Sequence, residues 1–215
     1  VPVENIEQIE VVKGASSVLS GTSALSGAIH IRTALPGAKP LTKITAFTGA
    51  YTAPKDKSRK WWDDYPYIAG VNFLHSRKID NLDFVIGGNL YFDHGCYGAP
   101  KPDPMVIDSI SDFKDSQMQT QRGRVNFTLR QRSKKYQGLN FGVSGNVMAQ
   151  HAPMVLAWLD DSAGFYRAYP GAVFLQDQFI GNLDPFVNYY SKVGFKHSFR
   201  GRILHNNTHQ SNDQD

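Results

Sequence analysis

Beyond Pro40 the sequence alternates apolar and polar residues in short runs, and the runs are joined by connections of two sharply different lengths, in strict alternation. The runs cover 41–51, 67–77, 82–93, 121–131, 139–148, 179–190 and 196–205, which makes seven expected strands. KIDN, RSKKYQG and SKVGF form the short connections. TAPKDKSRKWWDDYP and the stretches at about 94–120 and 149–177 form the long ones. A period of two places successive side chains on opposite faces of a β-strand. In QRGRVNFTLRQ one face carries Arg122, Arg124, Asn126, Thr128 and Arg130, and the other Val125, Phe127 and Leu129. In LNFGVSGNVM one face carries Leu139, Phe141, Val143 and Val147, and the other Asn140, Ser144 and Asn146. Short turns between such runs make antiparallel hairpins. Strict alternation of short and long connections then puts every long loop at one end of the sheet.

A soluble β-sandwich has no reason to sort its connections in this way. An outer-membrane barrel does: its turns are short on one side, its loops long on the other, and its strands are apolar outside and polar inside. The expected fold class is therefore all-β, an antiparallel transmembrane β-barrel represented by about seven strands. Composition permits this reading. No apolar run approaches the roughly 20 residues of a spanning helix, and hydrophobic residues make up 41% of the chain. A net charge of +4 is too small to imply nucleic acid, and the single cysteine, Cys96, excludes an internal disulfide framework. The opening VPVENIEQIE lacks the basic start and apolar stretch of a signal peptide. With the polar ending HNNTHQSNDQD, it suggests a mature or truncated chain.

Residues 1–33 contain IEQIEVVKG followed by GASSVLSGTSALSGAIHIRT, rich in small residues. A phosphate-binding loop of the Walker type needs Gly-Lys-Ser/Thr at its end. Gly21-Thr22-Ser23 lacks the lysine, and GxGxxG is absent. The pattern Ile6-Glu7-Gln8-Ile9-Glu10-Val11-Val12-Lys13-Gly14, then Leu19, Gly21, Ala24, Gly27, Ile29, Ile31 and Thr33, instead resembles the C-terminal end of the plug domain of TonB-dependent outer-membrane receptors. Ala15, Ser20, Ser26 and His30 depart from the family pattern at small or polar turn positions. The resemblance implies that 1–34 end a small α+β plug, that 35–40 link it to the barrel, and that 41–215 begin the barrel. Small residues suit a plug packed inside a barrel, with Gly14, Gly21 and Gly27 as packing and turn positions. Ser16 to Leu19 could open a short helix capped by a serine hydroxyl.

The resemblance also implies energised uptake of a scarce, bulky nutrient across the bacterial outer membrane. The energy comes from a TonB complex acting through a segment that these residues do not contain. Iron–siderophore complexes lead as substrate class, ahead of haem, cobalamin and oligosaccharide, and no nucleic acid is expected. No catalytic set stands out: Asp63-Asp64 and Asp160-Asp161 are adjacent carboxylates, whose side chains point apart on an extended chain. No cofactor and no resident metal is expected either, since Asp93-His94-Gly95-Cys96 lacks a second ligand pair at recognisable spacing. Trp61, Trp62, Trp158, Tyr166 and Tyr169 are candidate ligand contacts in the long loops. For the tryptophan pair, interfacial or loop packing competes with that role. Arg122, Arg124, Arg130, Arg200 and Arg202 are expected to face the lumen. There they would pair with plug carboxylates such as Glu7 and Glu10, or steer an anionic solute. A passive porin-like channel and a soluble all-β binding domain are the competing readings.

Overall fold

The computed structural model describes residues 6–14, 27–33, 35–101 and 113–212. The chain is all-β and antiparallel, with no α-helix among these residues. The first two strands, β1 (Ile6–Lys13) and β2 (Gly27–Thr33), pair only with each other, with Val11 opposite Ile29 and Ile9 opposite Ile31. Gly14 and Gly27 both have positive φ, at +93° and +145°. Gly21 and the serine-capped helix expected at 16–19 lie outside the described residues. The α+β character expected of residues 1–34 is therefore not evident, and what is described there is a β-hairpin.

The remaining strands form one sheet. They are β3 (Leu41–Ala50), β4 (Tyr67–Ile79), β5 (Leu82–Asp93), β6 (Thr120–Arg132), β7 (Leu139–Val155), β8 (Val173–Tyr190), β9 (Lys196–Arg200) and β10 (Ile203–Asn212). From β3 to β8 each pairs with its neighbour in sequence, and β9 and β10 both pair with β8 as successive pieces of one edge, so the sheet is a meander. Among the described residues β3 and β10 pair on one side only. Three expectations need correction. β7 runs on to Val155 and β8 starts at Val173, so the third long connection is 156–172 rather than 149–177. The seventh expected strand, 196–205, is two pieces that continue to Asn212 in an unbroken register along β8, from Phe186 opposite Arg200 to Leu183 opposite Ile203. The interruption lies opposite Pro185, which has no N–H to donate, although its carbonyl still accepts from Gly201 N at 2.9 Å. The third correction, to the arginine pairings, follows with the site.

The connections sort by length as the alternation requires. Residues 80–81, 133–138 and 191–195 lie at one end, and 51–66, 94–101 with 113–119, and 156–172 at the other. In the turn at 80–81, Asp80 has φ +49°, a left-handed conformation that aspartate tolerates better than most residues. Gly138 has φ +84° just before β7, and a Cβ there would collide with the carbonyl of Tyr190. Its own carbonyl accepts from Tyr190 N at 3.0 Å.

Register assigns every strand residue to one of two faces. One face bears Asn72, Asp83, Asn89, Arg122, Arg124, Asn126, Asn146 and Asp184. The other bears Val71, Ile86, Leu90, Val125, Phe127, Val143, Val147, Leu183 and Val187. Their burial runs opposite to that of a soluble protein. Asp83, Ser76 and Asn126 on the polar face are buried, with Leu74, Val85 and Met148 among them, whereas Leu90 on the other face is 67% exposed and Ile203 66%. On β7 the apolar band runs from Phe141 to Ala149 and ends at His151. At about 3.4 Å per residue and the usual barrel tilt, such a run spans roughly 20 Å.

The β1–β2 hairpin lies over the polar face, at the end of the short connections. A cleft of about 740 Å³ separates them, lined by Glu7, Glu10 and Arg32 on one side and by Arg130, Asp184 and Arg200 on the other.

Candidate functional site

The polar face is a network rather than a bare wall. Asp83 on β5 sits directly opposite Arg130 on β6, which donates to it through Nε and Nη2. Arg132, two residues further along, reaches both oxygens of the same carboxylate at 2.9 Å and donates to the Asp80 carbonyl at 3.0 Å. One buried carboxylate thus holds two guanidinium groups and the adjoining turn. Further along the same face Arg202 forms a fork with Asp184, with both contacts at 2.8 Å. Asn140, Asn188 and Ser198 make a hydrogen-bonded row across β7, β8 and β9, at 3.1 and 2.7 Å.

These contacts correct the expected arginine pairing. Arg130 and Arg202 are neutralised by carboxylates of the sheet itself, because direct cross-strand neighbours lie closer than anything across the cleft. Glu7 and Glu10 face that cleft without an ion pair to any of the arginines. Arg200 lines the same cleft and is exposed.

Arg122 and Arg124 differ from the others. Both lie on the half of the polar face nearer the long loops, beyond the residues that line the hairpin cleft. Arg122 stacks on Tyr91, its cross-strand neighbour, at 5.1 Å. Arg124 donates to the thioether of Met148 at 2.9 Å, a weak acceptor. Neither forms an ion pair with a described carboxylate, and the Nε atoms of both are buried without a partner.

The three long loops pack into one cap. The Trp61 indole donates to the Cys96 carbonyl at 2.8 Å, and Arg167 covers its ring at 5.0 Å. Trp62 is buried, edge-on to Trp61 and 6.0 Å from Tyr166. Trp158 lies between Tyr97 and Phe165, at 5.2 and 6.2 Å. Gly98 bonds to Tyr166 and Ala168 through its backbone, and its missing side chain leaves room for Trp61 and Arg167. Below, Ala99, Met118, Ala168, Val173 and Leu175 form a small core. The cap therefore brings Trp61, Trp62, Trp158 and Tyr166 together by packing on one another. Tyr169 stands apart, 54% exposed.

Sequence reasoning weighed Asp93 only as one member of the metal-capable Asp93-His94-Gly95-Cys96 and missed its place at the centre of a second, hydrogen-bonded cluster. It accepts from the Tyr51 and Tyr91 hydroxyls, each at 3.1 Å, and from Gly95 N at 2.7 Å. Burial, then the hydrogen bond to Asp93, raises the Tyr51 phenol from 10 to about 12. Burial likewise pushes the Cys96 thiol up. Among the described residues no group of three or more His, Cys, Asp or Glu side chains could hold a metal ion. Asp160 caps its own loop by accepting from Ser162 N and Gly164 N at 2.7 Å, and these bonds hold its carboxyl below the usual range. Asp83 was also missed, since the first aspartate of LDFVIGGNLYFD gives no sign that two arginines 47 and 49 residues away converge on it.

No family model, curated protein or solved structure matches the chain.

Proposed function

We propose that the chain is part of a TonB-dependent outer-membrane receptor: the end of a plug followed by the first barrel strands, taking up a scarce, bulky nutrient. The inverted burial of the sheet carries the reading. Burying an apolar side chain is worth about 1.5–3 kcal/mol, yet a whole band of them lies open while Asp83, Ser76 and Asn126 are buried on the covered face beside Leu74, Val85 and Met148. Hydrocarbon is the solvent in which that arrangement is favourable. The hairpin over the polar face favours a plugged receptor over an open pore. A solute entering from the long-loop end would meet the aromatic cap, then the polar face, then the hairpin.

Fractionation of cells making the full-length protein tests the location, and uptake assays test the energetics. The protein should partition with the outer membrane, and accumulation of its nutrient should stop when TonB is deleted. Recovery in the soluble fraction would sink the barrel, and TonB-independent accumulation would favour a passive channel.

A further inference from the structure

We propose that Arg122 and Arg124 form an anion-binding site for the transported solute, which would therefore carry carboxylate or phosphate groups. The inference rests on the uptake reading above and specifies its substrate class.

Its basis is a contrast among the arginines. Those beside a carboxylate on the polar face use it: Arg130 and Arg132 share Asp83, and Arg202 takes Asp184. In the cap, Arg167 lies 3.7 Å from Asp115. Arg122 and Arg124 are half-buried, like Arg130 and Arg132, yet one rests on a phenol ring and the other on a thioether, and their Nε donors have no acceptor among the described residues. Partly desolvated guanidinium groups that lack anions are costly, and among the described residues these two strong donor forks have no compensating carboxylate. They sit two residues apart on one strand and so project from the same face. Their cross-strand neighbours include amides, and the carboxylate on the same face nearby, Asp93, is taken up by the Tyr51 and Tyr91 hydroxyls and Gly95 N and forms no ion pair with Arg122. Asn89 lies directly across from Arg124, Gln150 directly across from Arg122, and Asn126 one step along the face. The Asn89 and Asn126 side-chain oxygens are also buried without partners. Two forks beside amide groups suit bidentate binding of an oxyanion. The hairpin lines the other half of the face, so the pair is left toward the end by which a solute would enter.

The test uses the full-length receptor in detergent, titrated calorimetrically with citrate as the carboxylate probe and pyrophosphate as the phosphate probe. At least one should bind saturably and more weakly as salt rises. Arg122→Gln and Arg124→Gln should each weaken it about tenfold, and Arg122→Lys with Arg124→Lys should recover part of the loss. The proposal fails if neither probe binds the parent protein, or if both bind the glutamine double variant unchanged. It also fails if that variant melts several degrees lower without any anion while the lysine variant binds no better, because the arginines would then be neutralising an internal carboxylate. Titration in detergent needs no TonB. Lost energised uptake with intact anion binding would therefore count against the receptor reading alone.

Discussion

Two side chains show what the polar face and the cap demand of individual residues. Asp83 is 1% exposed and compensates Arg130 and Arg132. Asp83→Asn should leave both guanidinium groups without their anion and cost about 3 kcal/mol, read as a lower midpoint in urea unfolding of the micelle-bound protein. In the cap, Tyr51 supplies a pH dependence of definite sign. Its pKa is raised, so the fold favours the neutral phenol. That contribution is complete below pH 10 and declines as pH climbs from 10 toward 12. Tyrosinate absorbance should show a late-ionising phenol in the folded protein that disappears in Tyr51→Phe. Neither residue could be singled out in sequence, because a cross-strand partner depends on register and register is not written in either strand alone.

Elements were far more legible than contacts. Alternation in 121–131 and 139–148 places Arg124 and Val125 on opposite faces, and the register does the same. Strand ends were less so. β7 and β8 continue through Pro153 and Asp177 to Val155 and Val173, where the alternation weakens and the core around Met118 supplies the burial instead. The break between β9 and β10 has its cause on another strand, at Pro185. Turn chemistry is more local and easier to test. Gly138→Ala places a side chain at φ +84° against the Tyr190 carbonyl, and should cost at least about 1 kcal/mol. The expected signature is a lower yield of refolded protein in detergent, with surviving molecules less resistant to heat.

For the molecule as a whole, the decisive property is which face meets which solvent. Leu183, in the middle of the apolar band, is 45% exposed. In a membrane, Leu183→Arg should cost about 2–4 kcal/mol, whereas Asn182→Arg on the opposite face, beside Asp184, should change stability by less than about 0.5 kcal/mol. Equal effects for the two variants in lipid vesicles would refute the assignment of faces. The aromatic loop residues were visible as candidates, but their mutual packing was not, because Trp62 and Tyr166 are far apart in sequence and meet only once the loops gather at one end. The meander carries a further consequence, for the order of events during folding. From β4 to β9 each strand pairs with the one made just before it, and β10 continues along β8, so every closure is local in sequence and its entropic cost grows only slowly with the longer loops. The sheet can grow one hairpin at a time from β3 toward β10, each new strand using the last as its template. An early register error would then be copied into every later strand, turning arginines onto the apolar face. The turns at Asp80 and Gly138 therefore act as checkpoints for all that follows them, and variants there should fail by misassembly before they fail by melting.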